Sequence, residues 1–309
     1  MTTNTNRKHP GAAWGRIKRC RYLYLMLLLP IVYYIILHYL PMYGVVIAFK
    51  DFNVRLGILN SPWEGLKHFE KFLGDSYFWQ VFSNTLIINL LDLCLGFPAP
   101  IILALLLNEL QSTKFKRTVQ TISYLPHFLS IMVVCGMMTT FLARDGLIND
   151  LIIFLGGERS ALLSKPELFR GIYVASGIWQ GVGWGAIIYL SALSAVNVEL
   201  YEVAALDGAN RWQQMWNVTL PSIVGTISIM LILRCGSLMG SNTEKILLLY
   251  NSFTMSVADQ IGTYVYRRGL LENSISYSTA VGLFNSVIGM ILLVAVNKLS
   301  RRISNSSLW

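Results

Sequence analysis

Six stretches of this 309-residue chain are long and nearly free of charge, and they leave few folds open. Tyr22 to Phe49, Thr118 to Ala143, Gly171 to Val198 and Asn273 to Asn297 hold no Asp, Glu, Lys or Arg. Phe78 to Asn108 holds only Asp92, and Val218 to Thr243 only Arg234. A helix crosses the hydrocarbon layer of a bilayer with about 20 apolar residues, so every one of these runs is long enough. Charged residues make up 13% of the chain, against roughly 25% in soluble domains. Six such runs in one short chain weigh against a soluble protein with buried core helices and predict an all-α integral membrane protein with six transmembrane helices. The first run is too long for a signal peptide, and no small-x-small cleavage site follows it.

Lys and Arg in the connecting loops set the orientation. The N-terminal tail holds Arg7, Lys8, Arg16, Lys18, Arg19 and Arg21 and no acid. With that tail inside, the inside segments hold 13 basic and 4 acidic residues and the outside segments 11 and 11; Arg234 and Asp92 complete the totals of 25 and 16. The net charge of +9 therefore falls on one side, as membrane topology requires, and does not call for a nucleic-acid partner. The expected organisation is a basic cytoplasmic tail (1–21), a transmembrane domain (22–299) and a second cytoplasmic tail (300–309). Spans are expected near 22–49, 78–108, 118–143, 171–198, 218–243 and 273–297, with both termini cytoplasmic. Cys20, Cys94, Cys135 and Cys235 have no paired spacing, so neither a disulfide framework nor a zinc site is expected.

The longest inside connection, 199–217, is polar and rich in small residues. Glu199 to Leu206 favours helix, Asp207-Gly208 breaks it with glycine free to turn left-handed, and a second short helix is predicted from Ala209 to Trp216. Pro221 suits the first turn of the next span. Ala204, Ala205 and Gly208 are small enough to let a partner surface approach closely, and Glu202 offers a charge. The pattern Glu-x-Ala-x-x-x-Gly from Glu202 to Gly208, with Thr219-Leu220-Pro221 after it, resembles the cytoplasmic loop of binding-protein-dependent ABC importer permeases. Further stretches resemble the polysaccharide branch of these type I permeases: 29–34, 39–52, 61–63, 65–69, 96–109, 120–127, 181–185 and 263–267. The likeness runs nearly end to end. Val203 departs from it in the Glu-Ala-Ala triplet, and Gly262 stands where that branch usually has an acid.

The resemblance implies the type I importer permease fold, a multi-pass place in the bacterial plasma membrane, and half of a path for an imported oligosaccharide. A cargo derived from a polysaccharide, acidic or neutral, is included. It implies as partners a second homologous permease, a dimer of ATP-binding subunits, an extracytoplasmic solute-binding lipoprotein and membrane lipid. It also implies coupling to the ATPase through Glu202, Ala204, Ala205, Asp207, Gly208 and Ala209. The chain has no Gly-x-x-x-x-Gly-Lys-Ser/Thr loop, and Gly-Lys never occurs, so ATP and Mg belong to another subunit. No cofactor, metal or catalytic residue is expected in this chain, which is not expected to be an enzyme.

Polar and aromatic groups inside a membrane mark a solute path. Trp179, Gln180 and Trp184 fall in the middle of the fourth run, and Gln180 and Trp184, four apart, share one helix face. The glycines beside them, at 177, 181, 183 and 185, equally serve close helix packing. Positional analogy with maltose-type permeases, without a matching motif, adds Ser130, Gln180 and Ser237. Arg234 admits a solute contact suited to an acidic sugar, a structural pair with Asp92, or snorkelling toward an interface. His127 admits a packing role or a proton relay. Three other classes stay open: an ABC permease for peptides or other small solutes, an ion-coupled secondary transporter, for which only Asp92 is an intramembrane acid, and a membrane enzyme, for which no catalytic cluster exists.

Overall fold

The structure, a computed structural model, describes residues 20–240 and 242–304; the tails expected at 1–21 and 300–309 lie largely outside the described residues. Among the described residues the chain is helical, and its one β feature is an isolated bridge between Lys50 and Trp63. The helices that matter here are α1 (Arg21–Phe49), α2 (Lys67–Leu73), α3 (Ser76–Glu109), α4 (Thr113–Phe128), α5 (Ile131–Phe141), α6 (Leu147–Phe154) and α7 (Pro166–Ser194). They continue as α8 (Val198–Leu206), α9 (Arg211–Gly236), α10 (Thr243–Leu249), α11 (Met255–Ala258), α12 (Ile261–Tyr266) and α13 (Ile275–Ser304). Helices α1, α3, α9 and α13 are each long and apolar enough to cross a membrane, and the bent pairs α4–α5 and α7–α8 raise the number to six if each pair counts as one span.

Prolines explain the local geometry of three of the spans. Wide π turns occupy Ile35–Tyr39, Asp92–Gly96 and Met215–Thr219, and in each case a proline (Pro41, Pro98, Pro221) stands two residues later. A proline ring clashes with the carbonyl four residues back, which here is the middle of the π turn. The widened turn takes up that clash, and the helix continues. This corrects the short helix expected at Ala209 to Trp216: Arg211 to Gly236 is one helix, running through Pro221 into the span.

The run expected as a single third span, 118–143, is instead bent by 101° between α4 and α5. Pro126 sits in a 3-10 turn at Leu125–Phe128, and Leu129 and Ser130 are extended. Ser130 Oγ then accepts from Val133 N (3.3 Å) and caps α5. A missing backbone donor followed by a capping hydroxyl ends one helix and begins another. Lys114, Lys116 and Arg117 make the start of α4 polar, unlike a lipid-buried rod.

Packing forms three clusters along the bundle. One joins Ala48, Phe72, Phe78, Tyr264 and Tyr277. A second joins Ile88, Cys135, Phe169, Tyr173 and Ile246. The third joins Ala104, Ala186, Tyr189, Leu193 and Ile223 at the end of α7 that leads to α8. Helix α7 takes part in the last two; it leads into the first region described next and walls the second.

Candidate functional site

The 199–217 segment is a helix, a sharp turn and a helix start, each fixed by local chemistry. Asn197 Oδ1 accepts from Glu199 N (3.1 Å) and caps α8. The C-terminus closes in a Schellman motif: Ala209 N donates to Ala204 O (2.9 Å) and Gly208 N to Ala205 O (3.1 Å). That motif needs a left-handed residue, and Gly208 has φ +79°. Asn210 and Gln213 form a reciprocal capping box that starts α9. Tyr201 Oη donates to the buried Thr219 Oγ1 (3.1 Å), tying α8 to the base of α9. Arg211 lies 3.9 Å from Glu109 at the end of α3.

Of the expected coupling residues, Glu202, Ala205, Asp207 and Gly208 are exposed, and Ala204 and Ala209 are half-buried. Nothing lies within 4 Å of the place a Gly208 side chain would occupy. Sequence reasoning missed Leu206, which is 87% exposed at the tip of α8. An apolar side chain two residues before a glycine at a left-handed turn was the available signal.

The second region is a cavity of about 820 Å³ walled by α3, α7, α9, α10 and the α4–α5 break. A second cavity of about 450 Å³ shares Asp92, Gly177, Gly181, Arg234 and Ser237 with it. Together they follow α7 from Tyr173 to Tyr189, about 24 Å at 1.5 Å per residue. Of the residues expected to touch solute, Gln180, Arg234 and Ser237 line these cavities. Ser130, Trp179 and Trp184 line neither cavity; Ser130 is committed to capping α5. Trp184 stacks on His127 at 4.5 Å with a 6° interplanar angle, and His127 lines the larger cavity.

Arg234 forms an ion pair with Asp92 across α9 and α3. The π turn at Asp92–Gly96 and the absence of a side chain at Gly96 make room for it, because a Cβ at Gly96 would lie 2.7 Å from Asp92 Oδ1. Ser237 Oγ donates to Arg234 O (2.8 Å). Gln180 Nε2 donates to Leu129 O (3.1 Å), so one residue both lines the path and satisfies a carbonyl at the α4–α5 break. Gly183 meets the Ser123 carbonyl of α4 directly, with no space for a methyl group. Gln180, Gly183 and Trp184 thus clasp the broken third segment.

Sequence reasoning also missed Lys245, on α10 and outside the candidate spans. It is 3% exposed, its Nζ donates to Tyr173 O (2.8 Å) and lies 4.4 Å from the Tyr173 ring centroid, and it lines the larger cavity. Burial pushes its ammonium down to about 8. A lone lysine just past a span carries no periodic signal that would set it apart. No group of three or more His, Cys, Asp or Glu side chains suited to a metal occurs among the described residues.

A bundle of candidate spans with two bent pairs, adjoining cavities with polar lining, and an exposed, internally hydrogen-bonded helical turn has the make-up of a transport subunit. The chain belongs to the family of binding-protein-dependent transport system inner membrane components, whose model matches residues 96–305. It is a multi-pass inner-membrane permease with the type I ABC importer fold. Among its relatives, Protein LplB of Bacillus subtilis is 44% identical over 97% of this chain and 95% of its own length. The polygalacturonan/rhamnogalacturonan transport system permease protein YteP of the same organism is also 44% identical, over 94% of this chain and 90% of its own. A chain of a bacterial ABC transporter that imports the acidic polysaccharide alginate superposes with a TM-score of 0.88 at 41% identity, over 95% of this chain and 99% of that one.

Proposed function

We propose that this chain forms half of the translocation path of an ATP-driven importer of oligosaccharides derived from acidic polysaccharides. The observation that carries this reading is the pair of adjoining cavities along α7, whose walls offer amide, hydroxyl and charged groups rather than a uniform apolar lining. Gln180, Ser237 and the Asp92–Arg234 pair are the proposed cargo contacts, with Trp184 supporting the wall through its stack on His127. YteP and the alginate transporter both handle acidic polysaccharides, which supports the same cargo class here. The alginate transporter was also captured with a loaded periplasmic protein. By the same reading a solute-binding lipoprotein delivers the cargo outside, and a second homologous permease supplies the other half of the path.

On this reading both termini and the α8–Gly208–α9 segment face the cytoplasm, where a dimer of ATP-binding subunits grips α8. ATP and Mg are held there. Glu202, Ala204, Ala205, Asp207, Gly208 and Ala209 form the docking surface. The Tyr201–Thr219 bond and the helix running on from Arg211 pass its movement to the span as one body, rocking the two halves around the path. An ion-coupled transporter is disfavoured because Asp92, its only candidate acid, is engaged by Arg234.

The test is ATPase activity and uptake by the reconstituted complex. Oligogalacturonate-loaded binding protein is expected to stimulate both. Gly208→Asp places a charged side chain on the docking surface at the left-handed turn; it is expected to abolish stimulated uptake. Uptake by this chain alone without ATP, or unchanged uptake by Gly208→Asp, would overturn the reading.

A further inference from the structure

The path contains two cations in different electrostatic states. Arg234 is neutralised by Asp92. Lys245 takes part in none of the ion pairs among the described residues, although it is almost fully buried. An ammonium has three donors, and among the described residues Lys245 Nζ uses one of them, to Tyr173 O. The Tyr173 ring offers its π face, and Cys135 is the other titratable neighbour. Glu244, the preceding residue, lines the same cavity but is exposed and makes no ion pair with Lys245. A buried cation without a counter-charge is unfavourable. Its retention against a polar cavity calls for an anion that arrives from the cavity.

Gly177 gives that anion its approach. It lines both cavities, and a Cβ there would lie 3.3 Å from Lys245 Nζ. With no side chain at Gly177, the buried ammonium lies in the cavity wall directly beside it. We infer that Lys245, reached past Gly177, is the residue that recognises the carboxylate of an acidic sugar in the path, while the self-neutralised Asp92–Arg234 pair serves sugar hydroxyls. This rests on the reading of the cavity as the cargo path and names the residue that senses charge there.

The test is equilibrium dialysis of labelled trigalacturonate, and of its carboxyl-reduced neutral counterpart, against the whole transporter in lipid nanodiscs. Wild type is expected to bind the charged trimer at least tenfold more tightly than the neutral one, the lower end for a charge-assisted hydrogen bond. Lys245→Met is expected to erase that preference while leaving binding of the neutral trimer in place, and Lys245→Arg to restore part of it. Gly177→Ala keeps the lysine but crowds its ammonium, and should reduce the preference at least threefold. Elution of each variant as an intact complex checks folding; if Lys245→Met does not assemble, Gly177→Ala and Lys245→Arg decide. A wild-type preference in Lys245→Met or Gly177→Ala, or loss of preference only in Arg234→Gln, overturns the assignment. Equal binding of both trimers by wild type would instead sink the acidic-cargo reading, and this inference with it.

Discussion

Replacing Gly183 with alanine should damage this protein far more than one methyl group suggests. The new Cβ would overlap the Ser123 carbonyl and stand 2.9 Å from Cδ1 of the Tyr124 ring. Carbon atoms pack well at about 3.5–4.0 Å, so the ring contact alone is short by about 0.6 Å. The obstruction at Ser123 is backbone, which cannot rotate away. Helix α4 must therefore move off α7. Overpacking of this kind costs about 1–3 kcal/mol, and a clash with backbone belongs at the upper end. About 3 kcal/mol is roughly a hundredfold in the folding equilibrium and a fall in Tm on the order of 5 °C. The movement also strains the Gln180–Leu129 hydrogen bond and the His127–Trp184 stack, which lie within a turn of Gly183. Gly171 is the control: it lies in the same helix with nothing within 4 Å, so alanine there is expected to be neutral or to stabilise by up to about 1 kcal/mol. The assay is thermal unfolding of the purified transporter followed by size-exclusion recovery, with uptake measured on the survivors. Equal Tm values for the two variants would refute the close packing of α4 on α7.

Two further outcomes follow from the same geometry. Leu206, 87% exposed, is expected to be buried on docking; burying a leucine is worth about 2 kcal/mol, so Leu206→Ala should weaken co-purification of the ATP-binding subunit about thirtyfold without lowering the stability of the isolated permease. Undiminished co-purification would remove α8 from the interface. Asp92→Asn or Arg234→Gln alone should each destabilise by about 1–2 kcal/mol, less than a fully buried pair because both side chains are partly exposed to the cavity. The double variant should lose no more than either single one, and strictly additive losses in thermal unfolding would show that the pair is not coupled.

Sequence alone determined the class of this protein, because charge-free runs of this length have few stable homes outside a membrane and because the loop from Glu202 to Gly208 combines local signals. A helix-forming stretch and a glycine at the turn act on their immediate neighbours, so the helix end at Asp207-Gly208 was legible in outline, while the capping asparagines were not singled out. Arg234 and Asp92 stood out because charges within apolar runs are rare, and their pairing was among the roles weighed for them. Tertiary structure decided the rest. Only packing shows that α4 and α5 meet at 101°, and that Ser130 is spent on a cap while Gln180 remains on the path. Only packing brings Lys245, 68 residues after Gly177 in the chain, against the gap that this glycine leaves. Local propensity acts over a few residues. A cavity wall is assembled from helices far apart in sequence, and its chemistry exists only once they are brought together.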